Sequence, residues 1–141
     1  MADQSLQLDV ITPERQVFSG EVSTVIAPGA RGQFGVLGGH VRYVTEVHPG
    51  PLTFEHGGRT HRYVVGGGFA QVGEGRVVVL ADRCEEASAV DVEQARRDMA
   101  TAEKAMLENL PTDRAYLDAQ AAQRLAIARI QAAAGVTAPP R

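Results

Sequence analysis

A change in composition near Ser88 constrains the fold more than any other feature of this sequence. Before it, short β-branched runs are broken by glycine, as in residues 63–82, YVVGGGFAQVGEGRVVVLAD. Between Val90 and Ala134 glycine is absent, and alanine, glutamate, arginine and glutamine dominate. Apolar residues that recur every two positions, as in a strand, give way to apolar residues that recur about every 3.6 positions, as in a helix. The sequence therefore predicts two units, a sheet domain over residues 1–87 and a helical hairpin over residues 88–141.

The first unit reads as a series of short strands. Leu6, Leu8 and Val10 alternate with polar residues and predict a half-buried strand. Residues 21–27 alternate again, residues 52–55 and 60–65 predict a hairpin, and residues 63–82 predict a meander of three strands with glycine turns. About ten short strands with frequent turns favour an antiparallel β-sandwich or a flattened barrel.

The second unit reads as two helices. Residues 88–91 supply N-cap candidates, Pro111 interrupts the pattern, and Gly135 ends it. Thr112 or Asp113 is predicted to cap the second helix. The predicted apolar stripes are Val92, Ala95, Met99, Ala102, Met106 and Leu110 on the first helix, and Leu117, Ala121, Leu125, Ala128 and Ala132 on the second. Because alanine dominates both, we expect a closely packed but weakly held hairpin.

Bulk properties exclude several classes of protein. The net charge of -3 gives no reason to expect nucleic-acid binding. No apolar run is long enough for a membrane span, and the first residues lack a signal-peptide pattern. We therefore expect a protein of the cytosol that reaches a membrane only through partners. The single Cys84 cannot form an internal disulfide, and a structural thiol is the simplest interpretation.

No residue pattern predicts catalysis or a metal site. The histidines His40, His48, His56 and His61 lack metal-ligand spacing, and no serine lies in a nucleophile elbow. Glu85 and Glu86 are predicted to be solvated charges in the linker rather than an acid and base pair. The glycine-rich loops neither open a helix nor precede a lysine, so we interpret them as turns. The remaining interpretation is a protein that binds other proteins, with a rigid sheet domain and a detachable helical arm.

Four segments carry a resemblance to a known family. They are LQLDVITPERQVFSG at residues 6–20, GARGQFGVLGGH at residues 29–40, VVGGGFAQV at residues 64–72 and VVVLAD at residues 77–82. Their order and spacing resemble the epsilon subunit of bacterial and chloroplast F-type ATP synthases, the counterpart of mitochondrial delta. The resemblance implies a ten-stranded flattened β-sandwich with two C-terminal α-helices. It also implies a noncatalytic rotor subunit that binds the gamma subunit and the ring of c subunits, at the cytoplasmic face of the bacterial plasma membrane.

The resemblance also implies contact residues on the sandwich. Arg31, Gln33, His40 and Arg42 match loops that face the c ring and gamma in the family. The alternative interpretation of these positions is a solvated turn. Residues 41–43 read VRY where the family usually has Ala-Pro-Leu, so the sequence departs from the pattern at this contact.

For the helical arm, the resemblance implies a regulatory role. The arm extends toward the catalytic head and inhibits ATP hydrolysis, and Arg124 and Arg129 match the basic residues that approach the head; an ordinary solvated helix face is the alternative. Some members bind ATP at the start of the first helix, for which Asp91 and Arg97 are candidates, although Gln94 replaces the usual arginine. No other cofactor is implied. A free-standing β-sandwich binding module with an oligomerising hairpin is the alternative function.

Overall fold

The computed structural model describes residues 5–29, 32–36 and 42–135. Within these ranges the chain forms ten strands, a 3-10 turn and two α-helices. The strands are β1 (Leu6–Ile11), β2 (Gln16–Val22), β3 (Val25–Gly29), β4 (Gly32–Val36), β5 (Tyr43–Val47), β6 (Gly50–His56), β7 (Arg59–Val65), β8 (Gly68–Gly73), β9 (Arg76–Ala81) and β10 (Cys84–Glu86). The 3-10 turn is Ala87–Ala89, and the helices are α1 (Val92–Leu107) and α2 (Arg114–Ala133). This order confirms the predicted fold class.

The strands form two five-stranded sheets. Sheet 1 has the order β2-β1-β9-β8-β5, and sheet 2 has the order β10-β7-β6-β3-β4. Strands β1 and β9 are parallel, whereas the other pairs among the described residues are antiparallel. The predicted antiparallel sandwich thus contains one parallel pair of strands among the described residues. A parallel pair needs a long crossover, and here the whole of sheet 2 except β10 lies between β1 and β9 in the chain.

The core lies between the two sheets and follows the alternation of each strand. Leu6, Leu8 and Val10 are buried on β1, as their spacing predicts. They meet inward-facing residues of both sheets, including Val25, Leu52, Phe54, Val65, Ala70, Val77 and Val79. Each fully buried valine, leucine or phenylalanine contributes about 1.5–3 kcal/mol relative to exposure.

Residues 21–27 do not form the single strand that their alternation predicts. Val22 ends β2 in sheet 1, and Val25 begins β3 in sheet 2. Both side chains are buried in the same core. A continuous strand would place residues three apart on opposite faces, so the chain must bend between them. The backbone of Ser23 and Thr24 pairs with that of Glu55 at the bend, with N–O distances of 3.0 and 3.3 Å.

The predicted meander over residues 63–82 is also only partly right. Strands β8 and β9 pair as expected, but β7 lies in sheet 2. Gly66 and Gly67 carry the chain from one sheet to the other. At Gly68 the backbone has φ +144°, and a Cβ there would lie 2.0 Å from the carbonyl oxygen of Leu80. Only glycine fits this close approach between β8 and β9.

The two helices are close to the predicted boundaries. Asp91 caps α1 by accepting a hydrogen bond from the backbone NH of Gln94 at 3.1 Å. Asp113 is the N-cap of α2, although its carboxylate accepts from the NH of Leu110 instead of from the helix. Gly135, with φ +78°, follows the end of α2.

The predicted apolar stripe of α2 is wrong in its first half. Leu117 and Ala121 are exposed, whereas Ala119 and Ala126 are buried. Alanine occurs on every side of this helix, so hydrophobicity alone does not select the packed face.

The hairpin packs on the outer face of sheet 2. Val64 of β7 points away from the sandwich core and is buried under Ala128 and Ala132 of α2. Sheet 1 has no such cover within the described residues, which leaves its outer face open. No helix in those ranges combines the length and apolarity needed to cross a lipid bilayer.

Candidate functional site: an open sheet face and a tethered helical arm

The outer face of sheet 1, here called the open face, carries exposed apolar side chains. Strand register places Ile11, Leu80, Phe69 and Glu46 side by side across β1, β9, β8 and β5. Phe69 is 55% exposed, Leu80 48%, and the neighbouring Val44 66%. Contiguous exposed apolar residues with a polar rim are typical of a surface that binds another protein.

A polar network occupies the other part of the open face. The Asp9 side chain points outward from β1 but is almost fully buried by its partners. Ser19 Oγ donates to Asp9 Oδ1 at 2.6 Å, Arg76 Nη2 donates to Oδ2 at 2.7 Å, and Gln7 adds a longer bond at 3.3 Å. The hydrogen bond from Ser19 is the main cause that lowers the pKa of Asp9 despite burial, and the bonds from Arg76 and Gln7 and the positive charge of Arg76 add to it. The carboxylate is therefore a fixed, neutralised charge.

A shallow cleft of about 600 Å³ runs along the β5 edge of the open face. Its lining includes Val44, Val78 and Gln71 from the face itself. Arg42, just before β5, forms an ion pair with Glu74 of the β8–β9 turn at one end of the cleft. The cleft thus joins apolar strand surface to a charged rim.

The structure describes two of the four predicted ring-contact residues, Gln33 and Arg42, and separates them. Arg31 and His40 lie outside the described residues. Gln33 lies on β4 opposite Pro28, and the Pro28 carbonyl accepts from the NH of His48, just after β5, at 3.0 Å. Arg42 precedes the opposite end of β5. Gln33 and Arg42 therefore both lie near β5, but at its opposite ends, so the fold does not bring them together.

The two predicted arm residues differ in their surroundings. Arg124 is exposed on α2. Arg129, one and a half turns later, has a side chain that is only 12% exposed, and its Nε donates to Glu85 Oε2 at 2.6 Å. Its Nη1 also lies 3.8 Å from Asp98 Oδ2 of α1. In this conformation Arg124 alone of the two is free for an external partner.

Glu85 is not the solvated linker charge that the sequence predicts. It belongs to β10, which pairs with β7, and its carboxylate binds Arg129. The prediction is wrong because the partner lies 44 positions away in the chain. Glu86, the second of the pair, pairs its backbone with Tyr63.

The two predicted nucleotide-binding residues are engaged in local contacts. Asp91 caps α1. Arg97 Nη2 donates to Gln94 Oε1 at 2.9 Å, and Gln94 Nε2 donates to Asp98 Oδ1 at 2.8 Å. The amide that replaces the family arginine therefore connects a cation and an anion along α1.

The described histidines and the cysteine occupy structural positions. His56 Nδ1 lies 2.6 Å from the Glu21 carbonyl oxygen, and His61 stacks on Phe54 at 5.3 Å between ring centroids. The described ranges contain no group of three or more side chains arranged to hold a metal ion. Burial raises the pKa of Cys84 to about 11, so its thiol is protonated at neutral pH.

The sequence reading missed the apolar residues of the open face. Their signal is the unbroken run Val77–Leu80 before Ala81 on β9, since a strand with one solvated face should alternate. Val78 and Leu80 occupy the positions where polar residues are expected.

Known proteins of similar sequence include the beta-sandwich domain of one family and chains of nearly the same length. The sequence profile described as the ATP synthase, Delta/Epsilon chain, beta-sandwich domain matches residues 5–87. The ATP synthase epsilon chain of Anaeromyxobacter sp. (strain Fw109-5) is 45% identical over 129 residues, which cover 92% of this chain and 98% of the relative. That of Myxococcus xanthus (strain DK1622) is 41% identical over 128 residues, 91% of this chain and 94% of the relative.

Solved structures share the fold at lower sequence identity. A chain in the Euglena gracilis mitochondrial ATP synthase structure of OSCP, F1 and c-ring has a TM-score of 0.78 and 23% identity, with 89% of this chain and 79% of that chain covered. A chain from the Tetrahymena thermophila mitochondrial ATP synthase structure of central stalk and c-ring has a TM-score of 0.67 and 14% identity, with 94% and 99% covered. The sequence profile and the relatives show that the chain belongs to the ATP synthase epsilon chain family.

Proposed function

We propose that this noncatalytic subunit works in the rotor of a proton-translocating F-type ATP synthase, where it couples rotation of the c ring to the catalytic head. The open face of sheet 1 is the observation that carries this proposal. Its exposed Phe69, Leu80 and Val44 form an apolar patch beside a charged rim. The similar Tetrahymena chain belongs to a structure of central stalk and c-ring.

The gamma subunit is the proposed partner of the open face. Sheet 2 is occupied by the helical hairpin, so the open face is the larger sheet surface left for a second protein. Apolar side chains at the centre of an interface supply most of the binding energy, whereas rim charges mainly guide association. Phe69 and Leu80 are the proposed anchors, and Glu46 and Arg76 lie at the rim.

The c ring is the proposed partner of the sandwich side formed by β4 and β5. Arg31, Gln33, His40 and Arg42 are the proposed contacts there. Charged and amide groups suit the polar loops that a membrane ring presents to solvent. Contact with the membrane itself is proposed only through this complex, at the cytoplasmic face of the bacterial plasma membrane.

Binding of purified gamma to the isolated chain tests the open face. Phe69→Glu places a charge in the patch and should weaken gamma binding at least tenfold, the order of an interface hot spot. Ile26→Glu is the matched control, because Ile26 is also exposed (37%) but projects from the outer face of sheet 2. Equal affinities of the two variants for gamma would show that gamma does not bind the open face.

We also propose that the hairpin is an inhibitory arm. It packs on the outer side of β6 and β7, with a small apolar cluster and the Arg129–Glu85 ion pair among its contacts, so it can leave sheet 2 without unfolding the sandwich core. In the extended position Arg124 and Arg129 would face acidic residues of the catalytic head. The arm is thus a two-state element whose balance sets the rate of ATP hydrolysis.

Hydrolysis by the catalytic core, reconstituted with the full chain or with a chain ending at Ser88, tests the arm. If the shorter chain binds and hydrolysis rises, the hairpin inhibits. Equal rates with both chains bound would show that the arm has no inhibitory role in this protein.

A further inference from the structure

We infer that Arg129, held between Glu85 and Asp98, is a latch that keeps the hairpin folded against the sandwich without any bound nucleotide. As a device that regulates hydrolysis, the latch rests on the proposed function of the hairpin as a releasable arm. As a contact that stabilises the compact form, it stands on the geometry alone.

The latch joins three separate elements. Arg129 lies on α2, Glu85 on β10 of the sandwich, and Asp98 on α1. The guanidinium reaches Glu85 through two nitrogens, at 2.6 Å to Oε2 and 3.5 Å to Oε1. One side chain therefore fastens the hairpin to the sandwich and also lies within 3.8 Å of the Asp98 carboxylate on the other helix.

Shielding from solvent distinguishes this contact from ordinary surface ion pairs. The Arg129 and Glu85 side chains are 12% and 26% exposed, whereas those of the helical pair Arg114 and Asp118 are 86% and 66% exposed. Exposed pairs contribute little because water and salt screen them. A shielded, two-point arginine–carboxylate contact is stronger and more directional.

The latch matters because the apolar cluster under α2 is built from small side chains. It consists of Val64 under Ala128 and Ala132, with Ala87 and Val90 at its edge, and α2 also lies against β6. Alanine buries one methyl group, so this cluster contributes only a few methylene-sized increments. Removing one charged partner would also leave the other partly buried and uncompensated, which favours release of the helices.

The same contacts argue against closure by nucleotide. A bound phosphate needs free cationic groups, but Arg129 is already neutralised by two carboxylates. Arg97 binds Gln94, the amide that occupies the position of the family arginine. Glu85 and Asp98 would repel an approaching phosphate. The arginine between the two helices and the sandwich is therefore already paired with the chain's own carboxylates.

Amide hydrogen exchange on the isolated full-length chain tests the latch. Glu85→Gln and Arg129→Gln should each speed exchange in the second half of α2 about tenfold, the effect of losing a charge-assisted bond. Arg124→Gln, an exposed change on the same helix, is the matched control and should alter exchange less than twofold. The double variant Glu85→Gln/Arg129→Gln should be no faster than the single variants, because both remove one interaction.

Two results would overturn the latch. One is equal exchange in the Glu85→Gln and Arg124→Gln variants while β1 and β9 keep native protection. The other is slower exchange of α2 in the unmodified chain when millimolar Mg-ATP is added. Either result would show that another contact, or nucleotide, holds the hairpin.

Hydrolysis by the reconstituted catalytic core separates the latch from the proposed function. If Glu85→Gln frees the hairpin and hydrolysis falls, both the latch and the inhibitory arm are supported. If it frees the hairpin and hydrolysis is unchanged, the latch stands and the inhibitory function fails.

Discussion

Asp9 illustrates how a carboxylate is kept on a strand in the middle of a sheet. It is 3% exposed and is surrounded by donors from its own strand and both neighbouring strands. A buried carboxylate without such partners would be protonated or would destabilise the fold. Here the donors make the charged form the stable one, so Asp9 joins β2, β1 and β9 beside the apolar patch.

Asp9→Asn should therefore destabilise the protein at neutral pH, by about 1–3 kcal/mol, through loss of charge-assisted bonds. The folded pKa lies below the ordinary 3.8, so the stabilisation is present above that pH and disappears as pH falls through the folded pKa. Urea unfolding at pH 7 and at pH 3 should show a gap between the proteins that narrows on acidification. Asp118→Asn, at an exposed helical pair, serves as control, and a gap that is constant with pH would contradict the prediction.

Gly68→Ala should be among the most damaging small changes, at about 2–4 kcal/mol, because strained backbone and a collision with Leu80 combine. Gly58→Ala separates the two effects, since Gly58 has φ +77° but no heavy atom within 4 Å of an added Cβ. Its cost should be about 1–2 kcal/mol. Thermal unfolding measures both, and equal losses would mean that the collision is relieved by a backbone shift.

Residue-scale prediction from sequence succeeds where the cause is local. The alternation of Leu6, Leu8 and Val10 fixes their burial, and Asp91 caps the helix that follows it. It fails for Glu85, because a carboxylate at the end of a strand is solvated or paired according to a residue on a distant helix. Nothing near Glu85 in the chain indicates Arg129.

At the scale of elements, glycine positions predicted where strands end but not which sheet receives the next strand. Gly66 and Gly67 look like a turn within a meander, and the structure uses them to cross between sheets. Turn residues specify a reversal or bend locally, whereas the choice of sheet depends on which side chains the core admits. The open face was missed for the same reason: its apolar residues look like core until the sheets are placed.

The contact between α2 and sheet 2 has a separate test at this scale. Ala128→Leu adds three carbon atoms where Val64 and the helix meet closely, and overpacking of this kind costs about 1–3 kcal/mol. The hairpin should then leave the sheet more often, and trypsin should cleave it faster. Ala121→Leu, at an exposed position of the same helix, should leave the cleavage rate near that of the unmodified chain. Slower cleavage of the Ala128 variant would indicate that the contact has unfilled space.

On the scale of the whole molecule, the outer faces of the two sheets differ. Sheet 2 holds the hairpin, and sheet 1 carries the exposed apolar patch that is proposed to bind gamma. Under the proposed function, the hairpin can therefore change position while the contact with gamma stays intact. The composition switch near Ser88 predicts two units in the sequence, but it does not indicate which sheet the hairpin packs on.

If the division at residue 88 separates two folding units, a chain of residues 1–88 should fold alone. The sandwich core and the cluster under α2 are distinct, and truncation uncovers Val64 and the outer side of β6. The loss in unfolding free energy should be about 2–3 kcal/mol, the value of one buried valine and its neighbours. Urea unfolding followed by tyrosine fluorescence, to which Tyr63 stacked on Phe54 contributes, measures it.

Val64→Thr provides the internal check on that measurement. In the full chain it places a hydroxyl under Ala128 and Ala132 and should reduce stability by about 1–2 kcal/mol. In the truncated chain the same side chain faces water, so the substitution should be nearly neutral. Equal effects in both chains would show that α2 does not cover sheet 2 in solution, and absence of a cooperative transition in residues 1–88 would show that the sandwich depends on the arm.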